Sequence, residues 1–214
     1  MRDNKLVKSA GEHWVCSVLS GLGWAAALTR DGIARTDLLA TNPETGLMIA
    51  VQVKAASLTR RVTFPLGAKG CDPSRADNEW FVFVVLGEQP WKQQKAYVVP
   101  RDHVAAATWI RHQEWRTNPE ASPGTRNTGI NGARVDEWVF ARYAQRWDLL
   151  NEPTGGVPVM LPPRFRKWAM VERVGLPSGH PWQHALPEWD LSEVSPTWPD
   201  WAVKETGGSS AVEA

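Results

Sequence analysis

The sequence predicts an α/β fold in which a mixed sheet of four or five strands is flanked by helices. Apolar residues recur at helical spacing over residues 5–20 and again over residues 102–116. Between them, residues 36–54 form two short apolar runs around a turn rich in Asn, Pro and Gly, which is typical of a β-hairpin. Residues 80–86 are continuously apolar, as expected for a central strand that is buried on both faces.

The remaining elements follow in chain order. The first helix has its apolar stripe at Val7, Ala10, Trp14 and Val18. Residues 24–29 are a candidate first strand, and residues 95–99 form a last strand that ends at Pro100. Residues 117–134 predict a long loop, and residues 135–147 predict a third helix.

From residue 151 the composition changes. Prolines are frequent enough to prevent long helices, yet tryptophans are too apolar to remain in water. These residues are Trp168, Trp182, Trp189, Trp198 and Trp201. We therefore expect two parts: a domain in residues 1–150, and an extended arm in residues 151–214 that packs on this domain or on a partner subunit.

The hairpin carries the polar groups that suggest chemistry. Asp37 should lie roughly opposite Val51 or Gln52, and Gln52 and Lys54 share one face of the second strand. A carboxylate and an amide oxygen suit Mg²⁺ or Mn²⁺, and a nearby lysine can orient a water or neutralise a phosphate. Together these groups suit metal-assisted attack of water on a phosphodiester. An ordinary hairpin with a solvated polar face is the alternative.

With Glu12 on the preceding helix, this pattern resembles the PD-(D/E)XK nuclease superfamily. The similarity is greatest to its Gln-x-Lys branches, such as Mrr-type restriction endonucleases and archaeal Holliday-junction resolvases. The order is a helix with Glu12, a strand, a hairpin with Asp37, and a strand with Gln52-Val53-Lys54. Residue 36 is Thr where the name of the superfamily has Pro. The match covers roughly residues 5–100.

The resemblance implies a restriction-endonuclease-like core and a DNA endonuclease that depends on Mg²⁺ or Mn²⁺, acting in restriction or phage defence. Asp37 would be the central metal ligand. The Gln52 side chain, the Val53 carbonyl and Glu12 would complete the metal shell, and Lys54 would act on the attacking water.

Phosphate contacts are expected from donors around this site. They are Lys8, Arg30, Arg35, Ser57, Thr59, Arg60 and Arg61. For the loop that contains Arg30 and Arg35, a plain surface turn is the alternative. Two other functions stay open: a non-catalytic nucleic-acid-binding or assembly module, and a junction resolvase, which would need a homodimer.

The composition adds weaker expectations. The formal net charge is only +1, but the basic excess lies in residues 1–150, beside the candidate site. Cys16 and Cys71 are far apart and have no metal-binding spacing. No signal-peptide pattern and no apolar run of ~18 residues is visible. We therefore expect a cytoplasmic protein without a membrane span.

Overall fold

The computed structural model describes residues 3–30, 34–89, 92 and 94–190. Strands β1 to β7 cover Ala25–Leu28, Leu38–Thr41, Met48–Ser57, Thr63–Pro65, Glu79–Leu86, Lys95–Pro100 and Arg134–Asp136. Helices α1 to α3 cover Asn4–Gly21, Arg101–Thr117 and Pro163–Ala169. Short 3₁₀ turns connect several of these elements.

The main sheet has five strands in the order β1-β2-β3-β5-β6. Strands β3 and β5 are parallel, and the other neighbours are antiparallel. The predicted α/β class with a mixed sheet is therefore confirmed. Strand β5 lies inside the sheet, between β3 and β6, and all of its residues after Glu79 are buried, which explains why residues 80–86 show no alternation.

The predicted hairpin consists of β2 and β3. Its register pairs Leu38 with Val51 and Thr41 with Met48. In the turn, the side chain of Asn42 accepts hydrogen bonds from the backbone N–H groups of residues 44 and 45, at 2.9 and 3.2 Å. Gly46 has φ 73°, a conformation that favours glycine. This register places Asp37, which precedes β2, beside Gln52.

Helix α1 packs directly against β3. Its buried positions are Val7, Gly11, Val15 and Leu19. A Cβ atom added at Gly11 would lie 2.5 Å from the Cβ of Ala55 and 3.7 Å from Val53. Glycine is therefore required for this close approach of helix and strand. Because Val53 and Ala55 face α1, Gln52 and Lys54 lie on the opposite face of the strand.

The region after α2 differs from the prediction. Residues 135–147 do not form an α-helix: Arg134–Asp136 is strand β7, and a 3₁₀ turn follows over Glu137–Tyr143. The reason is a second, two-stranded sheet in which β7 pairs with β4, with Val135 opposite Phe64. This pairing keeps the start of the segment extended, and an isolated antiparallel bridge between Ala144 and Tyr97 keeps its end extended.

Residues 151–190 pack on α2 and on the 3₁₀ turn Glu137–Tyr143. Phe165 and Trp189 are buried, and Trp168 and Trp182 pack against the same core. The Trp109 indole on α2 donates a 2.8 Å hydrogen bond to the carbonyl of Val174. Trp198 and Trp201 lie outside the described residues, and the division at residue 150 stays a prediction. In the described ranges, no helix has the length and apolar character needed to cross a membrane.

The contact of α1 with β3 gives the first prediction. Gly11→Ala should lower the free energy of unfolding by roughly 1–3 kcal/mol, because the added methyl overlaps Ala55 and pushes the helix from the sheet. Gly21→Ala is the matched control, since a Cβ there meets nothing within 4 Å. Urea denaturation of both variants checks this. A Gly11→Ala protein as stable as the control would contradict the close packing.

Candidate active site

The candidate site lies where the pairing of β2 with β3 stops. The Asp37 N–H donates to the Val51 carbonyl at 2.9 Å, and the Asp37 Oδ2 atom accepts a 2.8 Å hydrogen bond from the Val53 N–H. The Asp37 side chain thus takes the place of the next backbone hydrogen bond between β2 and β3. Within the part of the chain that the structure describes, the Oδ1 atom accepts no hydrogen bond. One carboxylate oxygen is fixed at the sheet edge while the other stays available.

Lys54 follows one residue later on β3 and is partly buried. Burial lowers the pKa of Lys54, and the positive charges of Lys8, Arg101 and Lys69 lower it further. The Asp37 carboxylate opposes this shift, although no ion pair joins the two side chains among the described residues. A desolvated lysine beside an open carboxylate oxygen can pass a proton or neutralise a phosphate more readily than a solvated one.

The Gln52 side chain is oriented by a buried arginine that the sequence analysis missed. Arg101, only 1% exposed, donates from Nη2 to the Gln52 Oε1 atom and to the Arg35 carbonyl, both at 2.9 Å. Its Nε lies 2.7 Å from the Glu79 carboxylate, and its guanidinium stacks 4.5 Å from the centre of the Phe81 ring. A metal ion at Gln52 would have to share the amide oxygen with this guanidinium.

Arg35 belongs to the same network. Its φ is 76°, and its Nη2 donates to the Pro73 carbonyl at 2.7 Å and to Glu79 at 2.9 Å. Burial would raise the pKa of Glu79, but the hydrogen bond from Arg35 and the charge of Arg101 lower it overall. Burial and the nearby Arg35 lower the pKa of Arg101 to about 10. The Arg35 guanidinium thus fixes the loop before Asp37, a role that leaves it poorly placed for a phosphate.

Glu12 lies on α1, which covers the Val53 face of β3 rather than the Lys54 face. Its carboxylate pairs with Lys8 at 3.3 Å, and only 14% of its side chain is exposed. The positive charge of Lys8 also acts on Lys54, whose pKa it lowers. The structure therefore brings Asp37, Gln52 and Lys54 together in the middle of β3, where its pairing with β2 stops, and places Glu12 on the neighbouring helix.

The other predicted phosphate contacts differ in their surroundings. The side chains of Arg30, Thr59 and Arg60 are exposed, and Ser57 is the last residue of β3. Arg61 donates a 2.8 Å hydrogen bond to Asp136, away from the hairpin. The sequence indicates Arg101 and Glu79 only weakly. Arg101 directly follows the strand that ends at Pro100, and Glu79 directly precedes the apolar run of residues 80–86.

The oxygen donors of this site fit a loosely bound hard cation. The described residues contain no group of three or more His, Cys, Asp or Glu side chains placed to bind a metal. Mg²⁺ commonly uses one or two carboxylates and completes its shell with water and substrate phosphate. Asp37, with an available oxygen, and Glu12 on the adjacent helix would be such carboxylates.

No protein-family model and no curated protein matches the sequence. Two solved structures are similar. The bacterial homing endonuclease I-Ssp6803I has 15% identity and a TM-score of 0.34, and the match covers 63% of this chain and 78% of that protein. Hjc, a Holliday junction resolvase from Archaeoglobus fulgidus, has 13% identity and a TM-score of 0.37, with 68% and 96% covered. At this level of similarity, the activity of these two proteins cannot be transferred to this chain.

The buried arginine network gives the second prediction. Arg101→Met should lower the free energy of unfolding by roughly 2–3 kcal/mol, because Glu79 loses one of its buried partners. The cost stays below the ~3–5 kcal/mol of a fully broken buried pair, since Arg35 still binds Glu79. Urea denaturation measures it. Arg75→Ala is the control, since that exposed side chain makes no bond among the described residues. Equal stability of the two variants would contradict the network.

Proposed function

We propose that this chain is a Mg²⁺- or Mn²⁺-dependent DNA endonuclease that hydrolyses phosphodiester bonds. The observation that supports this most is the Asp37 carboxylate, which is anchored through one oxygen at the sheet edge beside the desolvated Lys54. A surface hairpin with a merely solvated polar face would have no reason to bury a lysine there. A cytoplasmic location is part of the same proposal, as is a role in restriction or phage defence, which rests on the sequence resemblance.

Each side chain has a defined part in this proposal. Asp37 and Glu12 would bind the metal ion, which supplies Lewis-acid activation of water and of the phosphate. The Val53 carbonyl and the Gln52 amide oxygen are the remaining proposed donors. Lys54 orients the attacking water and accepts its proton, or offsets the charge that builds on the phosphate. The Arg101 hydrogen bond fixes the rotamer of Gln52, so this part of the site is preorganised.

DNA contact is proposed for the exposed donors around the hairpin. Arg30, Thr59 and Arg60 have exposed side chains, and Lys8 is 54% exposed although it pairs with Glu12. Exposed cations beside a sheet edge are suited to phosphate oxygens. Arg35 is a weaker candidate, because its guanidinium binds the Glu79 carboxylate of this chain. Arg61 is weaker for a different reason: it lies away from the hairpin, where it binds Asp136.

The third prediction tests catalysis. Asp37→Asn and Lys54→Met should each reduce cleavage of supercoiled plasmid DNA at least ~100-fold, because each removes a charge required at the reacting phosphate. Asparagine can still accept the hydrogen bond from the Val53 N–H, so the thermal melting of Asp37→Asn should change little. The assay compares Mg²⁺, Mn²⁺ and EDTA.

Lys167→Met, an exposed lysine on α3, is the control and should cleave like the unaltered protein. If Asp37→Asn or Lys54→Met cleaved at the unaltered rate, the assignment of the active site would be wrong. If the unaltered protein cleaved no DNA with either metal, the proposed activity itself would fail.

A further inference from the structure

A second site lies between the C-terminal half of α2 and the small β4–β7 sheet. It is a cleft of about 610 Å³, within the ~300–1,000 Å³ typical of small-ligand pockets. None of the residues of the hairpin site lines it. The residues that matter for its chemistry are Arg61, Arg111, His112, Trp115, Arg134 and Asp136.

Positive charge exceeds negative charge in this cleft. The buried Asp136 carboxylate bridges two arginines: Arg61 at 2.8 Å and Arg111 at 3.5 Å. Arg134 adds a third guanidinium, which is exposed and makes no bond to the described residues. Arg111 also pairs with Glu114 at 3.8 Å, but three arginines against these two carboxylates still leave an excess of positive charge. Such an excess suits an anionic ligand, and guanidinium groups recognise phosphate oxygens well.

His112 and Trp115 add groups of a different kind. His112 is only 5% exposed, and its Nε2 atom has no hydrogen-bond partner in the described residues, although it lines the cleft. Burial, aided by the charge of Arg116, lowers the pKa of His112 and so favours the neutral ring. The Trp115 ring lies 5.8 Å from the His112 ring. A buried nitrogen without a partner indicates a polar ligand atom, and an indole provides a stacking surface.

We propose that this cleft binds a deoxynucleotide unit, with its phosphate at Arg134, Arg61 and Arg111 and its base against Trp115. The unpartnered Nε2 atom of His112 bonds to the edge of that base. An inorganic anion would use the arginines alone, whereas a nucleotide uses the arginines, the histidine and the indole together. Stacking of a base on an aromatic side chain typically contributes ~1–3 kcal/mol.

The location of the cleft suggests what the site would do. Strand β3 continues past Lys54 to Ser57, and Arg61 lies in the connection between β3 and β4, so one stretch of chain links the hairpin site with the cleft. If the proposed DNA cleavage is right, the cleft positions an unpaired nucleotide of the substrate. Binding itself does not depend on that activity and can be measured without metal.

The test is calorimetric titration of the full chain in EDTA with dAMP, deoxyadenosine and inorganic phosphate. We expect dAMP to bind at least 10-fold more tightly than either fragment. Arg134→Ala should weaken dAMP binding at least five-fold without affecting the fold, and Trp115→Leu should weaken dAMP but not phosphate. Arg166→Ala on α3 should change nothing, since this partly exposed arginine lies outside the cleft.

Three results would overturn the nucleotide site: no dAMP binding at millimolar concentration, phosphate binding as tightly as dAMP, or dAMP affinity unchanged in both Arg134→Ala and Trp115→Leu.

A competition experiment with a single-stranded oligonucleotide identifies the source of the nucleotide. Competition assigns the ligand to a DNA strand, and lack of competition assigns it to a free mononucleotide; both outcomes support the site. Asp37→Asn should bind dAMP normally, so failure of the proposed nuclease activity and failure of this site are distinguishable.

Discussion

Strand β3 pairs with β5 over residues 50–57 but with β2 only over residues 48–51, and the candidate site depends on where that second pairing stops. At this point the backbone N–H of Val53 would lose its partner at the sheet edge. The Asp37 carboxylate accepts it at 2.8 Å, so the unpaired ladder position is satisfied by an ionisable side chain. The same hydrogen bond fixes Asp37 beside Lys54, one residue further along the strand. A structural requirement of the sheet thereby orients the proposed metal ligand.

The arginine network stabilises this end of the sheet at an electrostatic cost. Arg101 is nearly fully buried and is compensated by Glu79, which also binds Arg35. Removing Glu79 would leave the buried charge of Arg101 without compensation, whereas removing Arg101 would leave Glu79 with Arg35 as its remaining partner. By binding both the Arg35 carbonyl and Gln52, Arg101 links the loop before Asp37 to strand β3. These two hydrogen bonds thus fix the position of the loop relative to the strand at the site.

Local patterns in the sequence predicted the elements that carry strong periodicity. The alternation of Val51 and Val53 with Gln52 and Lys54, and the turn residues from Asn42 to Gly46, were sufficient to place the hairpin and its polar face. The sequence could not predict β4 and β7, because three-residue strands have no readable period and depend on pairing with each other. The contact between Arg101 and Gln52 spans distant parts of the chain, so no local pattern indicates it. For the same reason, the participation of Arg35 in an internal network was invisible, and it was expected to contact DNA.

The proposed chemistry requires that the available oxygen of Asp37 binds a divalent cation beside Lys54. Calorimetric titration of Mn²⁺ into the unaltered protein and into Asp37→Asn tests this most directly, because metal binding is measured without any substrate. We expect one site whose affinity falls at least 10-fold in Asp37→Asn, which corresponds to a loss of about 1.4 kcal/mol or more. Lys54→Met should bind Mn²⁺ at least as tightly as the unaltered protein, since a positive charge near the ion is removed. Equal Mn²⁺ affinity of Asp37→Asn and the unaltered protein would contradict the claim.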